Sequence, residues 1–148
     1  MPHSFGPLYV HLVFSTRDRE RALTDTVHAE IPRYLTPILA RSGARLMRVG
    51  GTEDHIHLLL DLGRRSSLST VVREIKSNTS RWISDKNGRA FAWQAGYSGF
   101  SVSHSVVPNV VRYIEGQKEH HRKRTFKEEY EAFLRAAKVE YDPKEIWE

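Results

Sequence analysis

Hydrophobic positions along the chain change spacing from segment to segment, and this pattern predicts the secondary structure. Residues 8–15 (LYVHLVFS) form a largely apolar run of strand length, which predicts a buried strand. Residues 24–40 carry apolar side chains at helical spacing, with Thr24 as the capping residue. Pro32 and Pro37 lie inside this segment, so a kink or a break in the helix is expected.

The remaining segments complete an alternating order of strands and helices. Strands are predicted at 44–50, 55–62, 91–94 and 100–103, and helices at 68–85, 105–121 and 126–137. This order favours an α+β fold with a ferredoxin-like (split βαβ) antiparallel sheet, its core helices packed on one face. A further C-terminal helix would carry Tyr113, and the other sheet face or its edge would be free for a ligand. The length of 148 residues suits one domain, residues 1–148.

Two histidines occupy alternate positions of the predicted strand 55–62. Side chains alternate across a strand, so His55 and His57 would project from one face beside solvent, with Ile56, Leu58 and Leu60 facing the core. Two imidazoles on a rigid strand suit a metal ion, although two half-exposed surface histidines give the same pattern. The chain has no cysteine, so any transition metal must use histidine, carboxylate, amide or water ligands.

Tyr113 and Gln117 are four residues apart on a predicted helix and therefore share one face. An amide oxygen added to two imidazoles makes three protein ligands and leaves positions for substrate and water. Catalytic metal sites have this open coordination, whereas structural sites are closed. The alternative is a tyrosine at the edge of the core and a glutamine on the surface.

The helix at 68–85 has a basic face that is a candidate for binding nucleic acid. Arg73, Lys76 and Arg81 cluster opposite the apolar stripe, and the net charge of +5 favours a polyanionic partner. Tyr97 is a candidate for stacking on a base. The alternative for the basic face is an ordinary solvated surface.

Membrane insertion is not expected, because no apolar run approaches the roughly 18 residues that span a bilayer. The first residues also lack a basic-then-apolar signal pattern, so a cytoplasmic protein is expected.

Several segments, in order, carry a resemblance to a known family. They are VHLVFSTRDR, GTEDHIHLLL, LSTVVREIKSNTSRWI, FAWQAGYSGFSVSHS, VVRYIEGQKEHH and TFKEEYEAFL. The chain resembles the HUH single-tyrosine transposases of small bacterial insertion sequences, the transposase IS200-like family, over residues 9–147. The related REP-associated tyrosine transposases usually have Asn-Pro after the tyrosine helix, where this chain has Gln-Lys-Glu-His-His.

The resemblance implies a function and a role for each site residue. His55 and His57 would be the histidines of the HUH motif, Gln117 the third metal ligand and Tyr113 the nucleophile. A homodimer would cleave and rejoin single-stranded DNA, with hairpins at the element ends, through a 5′-phosphotyrosine intermediate, using Mg²⁺ or Mn²⁺. The alternative is a non-catalytic or domesticated single-stranded nucleic-acid-binding protein on the same fold.

Overall fold

The structure, a computed structural model, describes residues 5–147 and consists of one sheet with helices on both sides. Its strands are β1 (Tyr9–Ser15), β2 (Arg45–Gly51), β3 (His55–Asp61) and β4 (Ser98–Val102). Its helices are α1 (Asp25–Ala40), α2 (Leu68–Asn87), α3 (Val107–Glu115), α4 (Gln117–His120) and α5 (Phe126–Ala136). Within 5–147, no helix is long and apolar enough to cross a membrane.

The four strands form an antiparallel sheet in the order β2-β3-β1-β4, which confirms the ferredoxin-like prediction. The strand predicted at 91–94 is wrong, because Trp93 makes only an isolated bridge with Thr16. The side chains explain the difference. The Trp93 indole N–H donates to Thr79 Oγ1 (2.9 Å), and Gln94 Oε1 accepts from the Ser15 amide (2.7 Å). This segment is therefore held by side chains instead of by a strand ladder.

The main core lies between one sheet face and helices α1 and α2. Helix α1 begins after Thr24, whose hydroxyl accepts from the Val27 amide at 3.1 Å, and it continues to Ala40. The predicted break is wrong, because Pro32 and Pro37 lie on the more exposed sides of the helix. The apolar stripe is uninterrupted and buries Val27, Ile31, Leu35 and Leu39. Across it, β3 contributes Ile56, Leu58 and Leu60, as predicted.

The opposite sheet face is covered by the C-terminal helices, so the expected free face is wrong. Val13 on β1 packs with Phe126, Tyr130 and Leu134 of α5 in a second apolar cluster. The apolar stripe of α5 needs a partner, and this sheet face supplies it. As a result, His55 and His57 have no exposed surface, instead of lying beside solvent.

Gly50 on β2 is where the helix carrying Tyr113 approaches the sheet most closely. A β-carbon at this position would collide with the backbone oxygen of Ile114 on α3. We expect Gly50→Ala to lower the free energy of unfolding by about 1–3 kcal/mol, because α3 must shift away from the strand. Urea unfolding measures the change. Gly96→Ala is the control, since a β-carbon there meets open space, and equal effects of the two substitutions would contradict the prediction.

Candidate metal and tyrosine site

The two strand histidines are held in fixed orientations by their Nδ1 atoms. His55 Nδ1 lies 2.8 Å from Asp54 Oδ1 and 3.0 Å from Thr52 Oγ1. His57 Nδ1 lies 2.8 Å from Nε2 of the buried His11 on β1. Both Nε2 atoms are therefore turned toward the C-terminal helices. Histidines that bind metals are commonly oriented in this way, by a partner on the nitrogen that does not bind the ion.

The side chain of Gln117, on α4, approaches the Nε2 atom of His55. Its Oε1 lies 3.1 Å from His55 Nε2 and 3.0 Å from Nε2 of His121, and the side chain is buried. The single helix predicted at 105–121 is interrupted at Gly116 (φ −90°, ψ 16°), which separates α3 from α4. Tyr113 and Gln117 are still in contact across this break, since the side-chain nitrogen Nε2 of Gln117 donates to the backbone carbonyl of Tyr113 at 3.3 Å.

Tyr113 lies against the histidines of its own chain. Its ring centroid is 5.7 Å from that of His57, and the two rings are nearly perpendicular. Its hydroxyl donates to a carboxylate oxygen of Glu129 and lies 3.3 Å from Nε2 of His120. The structure thus brings together all four residues that the sequence predicted as nucleophile and ligands.

Glu129 on α5 lies at the centre of this cluster, and sequence reasoning missed it. Its side chain is 1% exposed. Oε1 lies 2.9 Å from His57 Nε2, 3.6 Å from His55 Nε2 and 3.4 Å from His121 Nε2. Oε2 accepts from Tyr113 and lies 3.1 Å from His120 Nε2. One signal was present in the sequence: Glu129 is an acid inside the apolar stripe of α5.

Burial determines the protonation states of the cluster. It lowers the pKa of His57 to about 4, and it lowers that of His11 to about 3. Burial alone would raise the pKa of Glu129, but hydrogen bonds from His121 and His57 hold it well below its usual range. Burial and the hydrogen bond to this carboxylate raise the pKa of Tyr113. At neutral pH the site therefore contains neutral His11 and His57, a carboxylate and a neutral phenol.

The predicted DNA contacts lie apart from this cluster, on and near α2. Arg73 and Arg81 are exposed, and Tyr97 is 37% exposed. Lys76 has a structural role, since its ammonium donates to the carbonyls of Gln94 (2.8 Å) and Gly96 (2.7 Å). Partial burial lowers the pKa of Lys76 to about 8. The contacts of all four residues with DNA stay predictions.

A groove of about 590 Å³ opens beside the cluster. Arg19, Arg21, Lys118 and Arg122 line it, and His121 forms its edge toward the buried site. The His121 side chain is 12% exposed, whereas His55, His57 and Glu129 are at 0 or 1%. Asp25, Glu53 and Asp54 line the same groove, so the cluster meets solvent on the side of a groove of mixed charge.

Comparison with known proteins identifies the family. Residues 4–117 match the family described as "Transposase IS200 like". The chain belongs to this family. The match includes His55, His57, Tyr113 and Gln117, whereas His120, His121 and Glu129 lie beyond it.

Three relatives agree with this assignment to the IS200-like transposases. The ISDra2 transposase TnpA of Deinococcus radiodurans is 24% identical over 117 residues, which are 74% of this chain and 84% of that protein. A crystal structure described as a transposase of Deinococcus radiodurans R1 has a TM-score of 0.59 at 23% identity, covering 78% and 94% of the two chains. A REP-associated tyrosine transposase bound to a REP hairpin has a TM-score of 0.60 at 17% identity, covering 80% and 71%. At these identities the solved structures support the shared fold.

Proposed function

We propose that this transposase cleaves and rejoins single-stranded DNA through a 5′-phosphotyrosine intermediate on Tyr113. One observation carries the proposal. The Tyr113 hydroxyl and the Nε2 atoms of His55 and His57 converge on a single buried carboxylate, that of Glu129. The site thus already accommodates a negatively charged oxygen beside the nucleophile and the histidines, and a scissile phosphate brings the same kind of oxygen.

The residues present fit a divalent metal ion. The Nε2 atoms of His55 and His57 and Oε1 of Gln117 face one another, and both imidazoles are oriented by partners on Nδ1. His57 is neutral at pH 7, which is the form that binds metals. These three residues would hold Mg²⁺ or Mn²⁺, and mixed nitrogen and oxygen donors suit Mn²⁺ better. Such an ion, when bound, polarises the phosphate that is attacked.

The covalent step exchanges one phosphodiester bond for another. Tyr113 Oη forms a bond to the scissile phosphorus, and the bond from phosphorus to the 3′ oxygen breaks. The phenol loses its proton and the departing 3′ oxygen gains one, which leaves a 5′-phosphotyrosyl strand and a free 3′-OH. Attack by a different 3′-OH reverses the step and joins a new pair of ends. Because burial and Glu129 raise the pKa of Tyr113, the phenol is neutral before the reaction and must lose its proton as Oη attacks.

Hairpin DNA is the proposed substrate, and a homodimer the proposed assembly. The structurally similar REP-associated enzyme is bound to a REP hairpin, and the present chain exposes Arg73 and Arg81 on α2. The homodimer is inferred from the family alone. Tyr113 contacts the histidines of its own chain, so all four predicted residues lie in one chain and the dimer is not needed to complete this site.

The test is incubation with labelled single-stranded hairpin DNA and Mn²⁺ or Mg²⁺, followed by a denaturing gel. We expect a metal-dependent covalent protein–DNA band and a shortened DNA product with a free 3′-OH. The control is the same DNA as a fully paired duplex. DNA that is retained on a native gel but never forms the covalent band would favour the alternative, a non-catalytic nucleic-acid-binding protein.

A further inference from the structure

We propose that Glu129 and His121, from the C-terminal part of the chain, are additional ligands of the metal ion held by the HUH histidines. This inference rests on the proposed function, because it concerns the same ion. It adds an anionic ligand to the site and predicts that metal binding strengthens the docking of α5. Both residues lie beyond the segment that matches the family.

The geometry brings five potential ligand atoms close together. They are the Nε2 atoms of His55, His57 and His121, with Oε1 of Gln117 and Oε1 of Glu129. Glu129 Oε1 lies 2.9–3.6 Å from the three imidazole nitrogens. His121 Nε2 lies 3.0 Å from Gln117 Oε1, which itself lies 3.1 Å from His55 Nε2. One ligand atom from each of His55, His121 and Glu129 lies within 4.8 Å of the other two, and His57 is not a member of this group.

Charge supports Glu129 as a ligand. Apart from this carboxylate, the potential ligands are imidazoles and an amide, which carry no compensating negative charge when neutral. A carboxylate that is 1% exposed costs free energy unless a cation or several donors balance it, and here Tyr113 and the surrounding histidines do so in the metal-free chain. A divalent ion bound there would be balanced by this charge, and the hydrogen bond of the carboxylate to Tyr113 would weaken as its charge is shared. Glu129 would thereby both hold the ion and release the nucleophile.

The donor set also predicts which ion is preferred. Sites with several imidazoles select transition metals, whereas Mg²⁺ prefers oxygen ligands and water. Three imidazoles, an amide and one carboxylate therefore favour Mn²⁺ over Mg²⁺ more strongly than two imidazoles and an amide would. We expect Mn²⁺ to bind at least about tenfold more tightly than Mg²⁺.

The test measures Mn²⁺ affinity by electron paramagnetic resonance of the free ion, without DNA. We expect Glu129→Gln to weaken binding about tenfold or more, and His121→Gln to weaken it by a smaller factor, because His121 lies at the exposed edge. Glu131→Gln is the matched control: it makes the same change on the same helix, two residues away. Hydrogen exchange is the second measurement. Mn²⁺ should slow exchange across residues 126–136 in the wild type and not in Glu129→Gln.

The outcomes separate this inference from the proposed function. If the wild type binds Mn²⁺, His57→Asn loses it and Glu129→Gln binds it equally well, the additional ligands are wrong and the HUH metal site stands. If His57→Asn also binds Mn²⁺ as the wild type does, the proposed metal site itself is wrong. Unchanged affinity with faster DNA cleavage in Glu129→Gln would show that the carboxylate only occupies the place of the phosphate. If Glu129→Gln fails to fold, His121→Gln is the deciding variant, because it leaves the buried carboxylate in place. A Mn²⁺ affinity of His121→Gln equal to that of the Glu131→Gln control would overturn the inference.

Discussion

Tyr113→Phe is expected to abolish the covalent protein–DNA band completely while leaving the fold intact. The substitution removes one oxygen atom, the only atom of this side chain that can attack phosphorus. The ring remains packed against His57 and His11, at centroid distances of 5.7 and 6.2 Å. The hydroxyl contributes one hydrogen bond to Glu129, and the histidines also satisfy that carboxylate. A denaturing gel with labelled hairpin DNA measures the loss, and thermal unfolding checks the fold.

Tyr130→Phe is the matched control for this result. Tyr130 also lies at the second sheet face, and its hydroxyl is hydrogen-bonded to Ser98 at 2.5 Å, so the same oxygen atom is removed outside the histidine cluster. This variant should retain the covalent band. A band that persists in Tyr113→Phe, or that disappears only in Tyr130→Phe, would mean that the nucleophile is a different residue.

Much of the fold could be predicted from the sequence, because local patterns determine it. The apolar run of β1, the helical spacing in α1 and α2 and the alternation in β3 each reflect burial against one core. Thr24 caps α1 as its position indicated, and Ser67 caps α2 in the same way, each through a hydroxyl group that accepts from a backbone amide. Helix α1 extends through Pro32 and Pro37 because its packed apolar stripe offsets the lost hydrogen bonds.

The parts of the site that could not be predicted depend on packing between distant segments. Glu129 follows His57 by 72 residues, and only the docking of α5 brings the two together. For the same reason the histidines are buried and not beside solvent, since a strand pattern shows one apolar face and does not show what covers the other. His11 looked like one more residue of an apolar strand, yet it orients His57 from the neighbouring strand.

The metal-free protein is expected to lose several kcal/mol of stability between pH 7 and pH 4. In the unfolded chain His11 and His57 bind protons near pH 6.5, whereas in the folded chain their pKa values are about 3 and 4. Below pH 6.5 the unfolded state therefore binds more protons, and stability falls as the pH is lowered. Glu129 acts with the same sign below its ordinary pKa of 4.5, because its folded pKa is depressed. Each pKa unit is worth about 1.4 kcal/mol, against a total stability of roughly 5–15 kcal/mol.

Urea unfolding in EDTA at several pH values measures this dependence. Between pH 6 and pH 4.5, His11 and His57 together should contribute a slope of the unfolding free energy against pH of about 2.7 kcal/mol per pH unit, and His28 and His120, whose pKa values are also lowered, act with the same sign. His11→Gln keeps a polar partner for His57 Nδ1 and removes one buried imidazole, so the slope should fall by about that of one proton. Equal slopes in the two proteins would mean that His11 is protonated as readily in the folded state as in the unfolded state. The assignment of His11 and His57 as a pair of neutral histidines would then be wrong.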